Sequence, residues 1–293
     1  MQKITPFLWF KDQAEEAVHL YTSLFKNSRI GEVVRFGEDM PGQPGKVMTV
    51  SFQLAGQEFS ALNGGPEFSF TPAVSFFVHC QTVEEVDALW AGLSRGGSVL
   101  MELGSYPFSE RFGWLADPFG VSWQISLTGQ PQQISPYLLF VGDQAGRAEE
   151  AVRLYTSLFK DASIGQIERH GNDMGETEGT VLHARFYLHG QEFMAMDSAQ
   201  AHNFTFTPAI SFFVCCGDQA EVDYFWEKLS EGGEKSQCGW LADRFGVSWQ
   251  IIPSLLIELM GDPDPVKAGR VTQAMLKMTK IDISQLRQAY EQG

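Results

Sequence analysis

Positive charge is scarce in this chain. Twenty-one Lys and Arg face 36 Asp and Glu, which leaves a net charge of −15. A protein that grips phosphates needs a basic stripe to gain from counterion release, and none is visible, so nucleic acid is not expected as a partner. Anionic membrane surfaces are disfavoured for the same reason, whereas a cationic or neutral small ligand is not. Long apolar runs are also missing, so no membrane partner is expected. The opening "MQKITPFLWFKDQAEE" lacks a signal-peptide profile. Cysteine is rare: Cys80, Cys215, Cys216 and Cys238 form no CxxC pair, and the adjacent Cys215 and Cys216 are poor partners for each other. Reduced thiols in a cytoplasmic protein are the expected state. The six histidines show no HxH or HxxxH spacing and read as solvated or singly hydrogen-bonded side chains. His79 beside Cys80 is the one that stands out, but neighbours on a strand point to opposite faces, which argues against a Cys–His nucleophile pair.

What the chain does have is a long internal repeat. "GWLADPFGVSWQI" at Gly113–Ile125 returns as "GWLADRFGVSWQI" at Gly239–Ile251, with Pro118 replaced by Arg244. "ITPFLWF" and "AEEAVHLYTSLFK" return as "ISPYLLF" and "AEEAVRLYTSLFK", "GQEFSAL" as "GQEFMAM", and "FTPAVSFFVHC" as "FTPAISFFVCC". At 293 residues the chain has room for two domains with their own cores. The expected domains are 1–128 and 134–252, joined by a polar linker at 129–133 and followed by a helical extension at 253–293.

Each copy reads as βαβββ twice. "AEEAVHLYTSLF" puts Ala14, Ala17, Val18, Tyr21, Leu24 and Phe25 on one helical face, with Glu15 and Glu16 in the first turn. Thr82 and Glu85 form a capping-box pattern, and Asp218 and Glu221 its counterpart; Val83, Val86, Leu89, Trp90 and Leu93 form the stripe expected to be buried. In the extension, Asp264–Pro265 reads as a helix start.

These motifs, with "SALNGG", "YPFSERFGWLADPFGVSWQI" and the ending "DPDPVKAGRVTQAMLKMTKIDISQLRQAY", resemble the PhnB-like branch of the vicinal oxygen chelate superfamily. That group includes glyoxalase I, extradiol dioxygenases and the fosfomycin- and bleomycin-resistance proteins. The resemblance implies an α+β glyoxalase/bleomycin-resistance/dioxygenase fold of four tandem βαβββ modules with a C-terminal helical tail. It further implies a concave sheet face that holds a ligand and, often, a divalent metal. Single-copy relatives commonly pair, so the fused copies are expected to form a pseudo-dimer, and a homodimer of the whole chain is left open. Some of these proteins are labelled demethylubiquinone methyltransferases. No Gly-rich strand-to-helix loop here would hold a nucleotide-like methyl donor, so methyl transfer is not expected.

The resemblance also locates the metal positions. Where metal-using relatives carry the ligand Glu of the last strand, this chain has Gln124 and Gln250. An amide oxygen brings no negative charge and is the poorer ligand. The other positions fall near Thr5 or Ser135, Asn63 or Asp197, and Ala73 or Ser75 with Ala209 or Ser211; among these only Asp197 is charged. A catalytic zinc site wants about three protein ligands and an open position. A divalent metal is therefore a cofactor the ligand positions do not support. Gln124 and Gln250 are left as candidate polar groups on the cavity floor, with Trp123 and Trp249 packing on the opposite side.

The copies differ most at Ser98–Phe112, where the second copy has only "EKSQC". Tyr106, Phe108 and Glu110 in this insertion are candidates for ligand contact or a lid, the plain alternative being a surface hairpin. Trp9, which becomes Leu139 in the second copy, is a further candidate. The expected function is metal-independent binding of a small molecule; a metal-dependent glyoxalase- or dioxygenase-type enzyme and a ligand-free scaffold are the alternatives.

Overall fold

The computed structural model describes residues 2–36, 44–172 and 175–292. Four βαβββ modules follow one another along the chain. The first is β1 (Ile4–Phe10), α1 (Ala14–Leu24), β2 (Arg29–Arg35), β3 (Val47–Leu54) and β4 (Gln57–Asn63). The second is β5 (Val74–Cys80), α2 (Val83–Leu93), β6 (Ser98–Tyr106), β7 (Ser109–Ala116) and β8 (Ser122–Leu127). The third is β9 (Gln133–Phe140), α3 (Ala148–Leu158), β10 (Ser163–Arg169), β11 (Val181–Leu188) and β12 (Gln191–Asp197). The fourth is β13 (Ile210–Cys216), α4 (Gln219–Leu229), β14 (Glu234–Lys235), β15 (Trp240–Ala242) and β16 (Ser248–Pro253), followed by α5 (Ser254–Met260), α6 (Pro265–Met275) and α7 (Ile283–Glu291).

Two compact units result: residues 6–210, and residues 1–5 together with 211–293. They are not the two sequence copies. The 129–133 segment leads straight into β9, which pairs antiparallel with β5 from Val74↔Leu138 to His79↔Gln133. The larger unit therefore holds an eight-stranded sheet, in the order β10-β11-β12-β9-β5-β8-β7-β6, built half from each copy. Within it the outer strands of each module run parallel, β5 with β8 and β9 with β12, as they do for β1 and β4 in the first module.

Aromatic packing fills the core of the first copy. Trp123 is buried against Tyr21, Phe25 and Phe76 with ring centroids 5.2–5.3 Å apart, and Phe59 meets Phe76 edge-on at 5.4 Å. α1 buries Ala14, Ala17, Val18 and Tyr21 as its spacing requires. α2 buries Val86, Leu89 and Leu93, but Val83 is 41% exposed because it opens the helix beyond the packed face. The Thr82 side chain accepts from Glu85 N and the Glu85 carboxylate from Gln81 N; Asp218, Glu221 and Gly217 repeat the arrangement on α4. Both capping boxes thus form.

The repeated motif owes its persistence to one carboxylate. Asp117 Oδ1 accepts from Phe119 N and Val121 N, and Oδ2 accepts from Tyr21 OH at 2.7 Å and Trp123 Nε1 at 2.9 Å. Asp243 likewise accepts from Phe245 N, Val247 N and Trp249 Nε1. Each turn is thereby locked to the tryptophan six residues on. Gly113 opens the motif because a Cβ there would meet the Trp90 ring at 2.3 Å. Gly239, its counterpart, has φ +80° and lies 2.8 Å by the same measure from the Ile251 carbonyl.

In the smaller unit the strand order is β14-β15-β16-β13. Ile252, Leu256, Leu259, Val271, Met278, Ile281 and Leu286 form one apolar cluster that ties α5–α7 to it. Cys238 N and Gly239 N donate to the carbonyls of Met278 and Thr279 at 2.8 Å, so the tail lies along the short link where the first copy extends its β6–β7 hairpin.

Asp117→Ala would strand two backbone N–H groups, a phenol and an indole N–H in the core. It is expected to cost about 3 kcal/mol or more, read as a lower denaturant midpoint at unchanged slope in chemical unfolding.

Candidate functional site

Side chains alternate between faces along a strand. In the eight-stranded sheet Phe76, Val78, Trp123 and Ile125 are buried in the helix-side core, so Ser75, Phe77, His79, Ser122, Gln124 and Ser126 share the other face. The register extends that face across the joint: Ser75 pairs with Tyr137, Phe77 with Ser135, Tyr137 with Met194, Met194 with Arg185, and Glu192 with Tyr187. The first copy contributes β5–β8 and the second β9–β12.

Glu192 is the polar centre of this face and is only 7% exposed. Its Oε1 lies 2.9 Å from His79 Nε2 and accepts from Ser135 Oγ at 2.8 Å; its Oε2 accepts from Tyr187 OH at 3.2 Å. Arg185 Nε stands 3.5 Å from Oε2. Burial alone would raise the Glu192 pKa, but the hydrogen bonds from His79 and Ser135, with His79 and Arg185 alongside, outweigh it and hold the carboxyl below its usual 4.5. Beside this group Tyr137 OH lies 3.0 Å from His183 Nδ1. Burial pushes the Tyr137 phenol well above its usual value, with Glu168 adding to the rise, and burial lowers the His183 imidazole. Both shifts favour the uncharged forms of the phenol and the imidazole.

The expected site residues divide. Gln124 lies on this face, 6% exposed, with Nε2 donating to Ser75 Oγ at 2.9 Å. Gln250, in the smaller unit, does the same to Ser211 Oγ. Tyr106 and Phe108 stack at 5.6 Å at the hairpin tip and rest on Phe112, which pairs with Ser126 at the edge of the face. Phe108 is 66% exposed. Glu110 is exposed on the same hairpin. Trp9 donates from Nε1 to the Gly65 carbonyl and packs edge-on against Phe68.

Asn63 and Asp197 stand elsewhere. Asn63 Oδ1 accepts from Ala14 N, the first residue of α1, while Nδ2 donates to the Val47 carbonyl. The Asp197 carboxylate accepts from Gly146 N, Ala148 N and Val181 N. Both residues cap the helix of their own module from the end of a strand, which explains a polar side chain there without a ligand.

The donor set does not fit the divalent metal that the resemblance implies. The Asp197 carboxylate is taken up by backbone N–H groups, and the Gln124 and Gln250 amides face serine hydroxyls. Among the described residues no group of three His, Cys, Asp or Glu side chains converges on a common point.

The family model described as 3-demethylubiquinone-9 3-methyltransferase matches residues 2–126 and again 132–252. The chain belongs to this family. A solved PhnB protein from Bacillus cereus, described as a putative 3-demethylubiquinone-9 3-methyltransferase, is 50% identical; the match covers 43% of this chain and 100% of that one, with a TM-score of 0.42. Glyoxalase I from Zea mays is 10% identical over 84% of this chain and 92% of its own, with a TM-score of 0.53. A putative dioxygenase from Bacillus subtilis is 11% identical over 97% and 94%, with a TM-score of 0.51. The last two show that this family member has the glyoxalase/dioxygenase fold in tandem copies.

Glu192, Tyr137, His183, Arg185 and Tyr187 were not among the expected site residues, and Ser135 was named only as a family metal position lacking a His. The signal that points to them is a difference between the copies. His183, Arg185 and Tyr187 replace Thr49, Ser51 and Gln53 at alternate positions of one strand, Tyr137 replaces Phe7, and His79 stands where the second copy has Cys215. All of these land on one face.

Because Glu192 has a lowered folded pKa, it contributes stability that is complete above about 4.5 and is lost as pH falls through the folded value. Glu192→Gln is expected to flatten the acid limb of the unfolding midpoint below about pH 4.5, measured by denaturant titration at each pH.

Proposed function

We propose that this member of the family binds a small molecule on the helix-free face of its eight-stranded sheet, and does so without a divalent metal. The observation that carries the reading is the group of hydrogen-bonded polar side chains around Glu192. A face built only to pack gains stability from apolar residues, whereas a buried carboxylate costs desolvation that its partners at best offset. Such a group is more readily understood as recognition chemistry supported by both copies. The occupied donors at the family's ligand positions support the metal-free part, and the missing Gly-rich nucleotide loop weighs against methyl transfer. Although the chain is strongly acidic, Arg185 and His183 stand beside Glu192 here, so the overall charge does not by itself select a cationic ligand.

Native mass spectrometry and a thermal-shift screen of diverse small molecules test the proposal. A stoichiometric binder should raise the unfolding temperature of the wild type, since a ligand present at about a hundred times its Kd adds about 2.7 kcal/mol. That shift should vanish in Tyr137→Phe combined with Gln124→Leu. No binder, together with a gain in stability in that double variant, would favour a scaffold and overturn the reading. Stoichiometric metal in protein purified without chelator, lost in the same variant, would overturn the metal-free part.

A further inference from the structure

His79 is 3% exposed, and its two ring nitrogens have different surroundings. Nε2 faces the Glu192 carboxylate, which accepts hydrogen bonds only, so Nε2 carries the proton. Nδ1 is buried with no hydrogen-bond partner. In the neutral ring this nitrogen is a lone-pair acceptor. A buried polar atom left unpaired costs free energy, and a functional task is one reason for a protein to keep it. The Phe77 ring meets the imidazole edge-on at 4.9 Å, and Tyr137 meets Phe77 edge-on at 6.2 Å, so two aromatic rings line this face beside it. The charged and titratable groups of the face nearest this pair are Glu192, Arg185, His183, Glu168, Tyr137 and Tyr187.

Resting on the small-molecule reading above, we propose that His79 is a general base for a neutral, planar ligand that bears a weakly acidic proton. The proton passes from the ligand to His79 Nδ1, and the electron pair of the broken bond stays on the ligand. Glu192 is the positioning residue: it fixes the tautomer that leaves the lone pair on Nδ1 and stabilises the imidazolium once it forms. Ser135 and Tyr187, which donate to the same carboxylate, hold it in place. The second copy carries Cys215 at the matching place and lacks this base.

A probe that reports proton abstraction directly is 5-nitrobenzisoxazole. A base removes its ring C–H proton, the C–H electrons form the nitrile, the N–O bond breaks, and the released cyanonitrophenolate is coloured. The wild-type chain is expected to act about a hundredfold faster than the same concentration of free imidazole, at the low end of what a positioned base contributes. His79→Gln should abolish the excess. Glu192→Gln keeps an oxygen acceptor for Nε2 but not the charge; it should lower kcat at least tenfold with KM unchanged, and Glu192→Asp should restore part of the loss. Unfolding midpoints confirm that each variant is folded.

Binding of the inert planar analogue 6-nitrobenzotriazole, followed by calorimetry, separates the two readings. Binding without turnover would overturn the base and leave the binding face standing. Turnover unaffected by His79→Gln would overturn the assignment to His79. Neither turnover nor binding would overturn the base, while the binding face would still be judged by its own ligand screen.

Discussion

The antiparallel contact of β5 with β9, running from Val74↔Leu138 to His79↔Gln133, brings the two copies into one sheet. A register shift of one residue would turn every side chain of β9 to the other face. Ser135 and Tyr137 would then enter the helix-side core, and Glu192, whose strand follows β9 in the sheet, would lose its facing partner His79. The register is held by burial on both sides of the joint: Phe76 and Val78 beneath β5, Leu138 and Phe140 beneath β9. A core made of ordinary apolar residues thus sets the position of an uncommon polar group.

The polar face is made where the two copies differ in sequence. Two identical copies would place the same side chains in the first and third modules, and in the second and fourth. The first copy has Thr49, Ser51 and Gln53 on β3, none of which carries charge, and its Glu58 is exposed. The second copy has His183, Arg185 and Tyr187 on β11, and its Glu192 is buried. His79 in the first copy completes the group. Glu192 and its hydrogen-bond partner His79 come from different copies, so the candidate site belongs to the fused chain.

The same divergence altered the sheet ends. In the first copy β6 and β7 continue into a hairpin whose aromatic tip is Tyr106, Phe108 and Phe112. The second copy stops short, and the tail supplies hydrogen bonds at Cys238 and Gly239 instead. The tail's methionines and leucines have a structural task here: with Ile281 and Val271 they bury the outer side of β16.

Much of the fold was legible in the sequence. The repeat, the module pattern, the capping boxes at Thr82 and Asp218, and the opposed faces of Trp123 and Gln124 follow from local periodicity and hydrogen-bonding chemistry, which depend on near neighbours. Asn63 and Asp197 show the limit of that approach. A polar residue at a strand end is compatible with ligand binding and with capping a helix many residues away, and the capping bonds are visible only in the packed module. The partnership of His79 with Glu192 was further out of reach. These residues lie in different copies, and strand order and register are set by the packing of the whole core. The sequence by itself determined the family, the modules and the two copies. Which residues face one another across the joint was decided by the tertiary structure, because it depends on how the apolar faces of both copies are buried together.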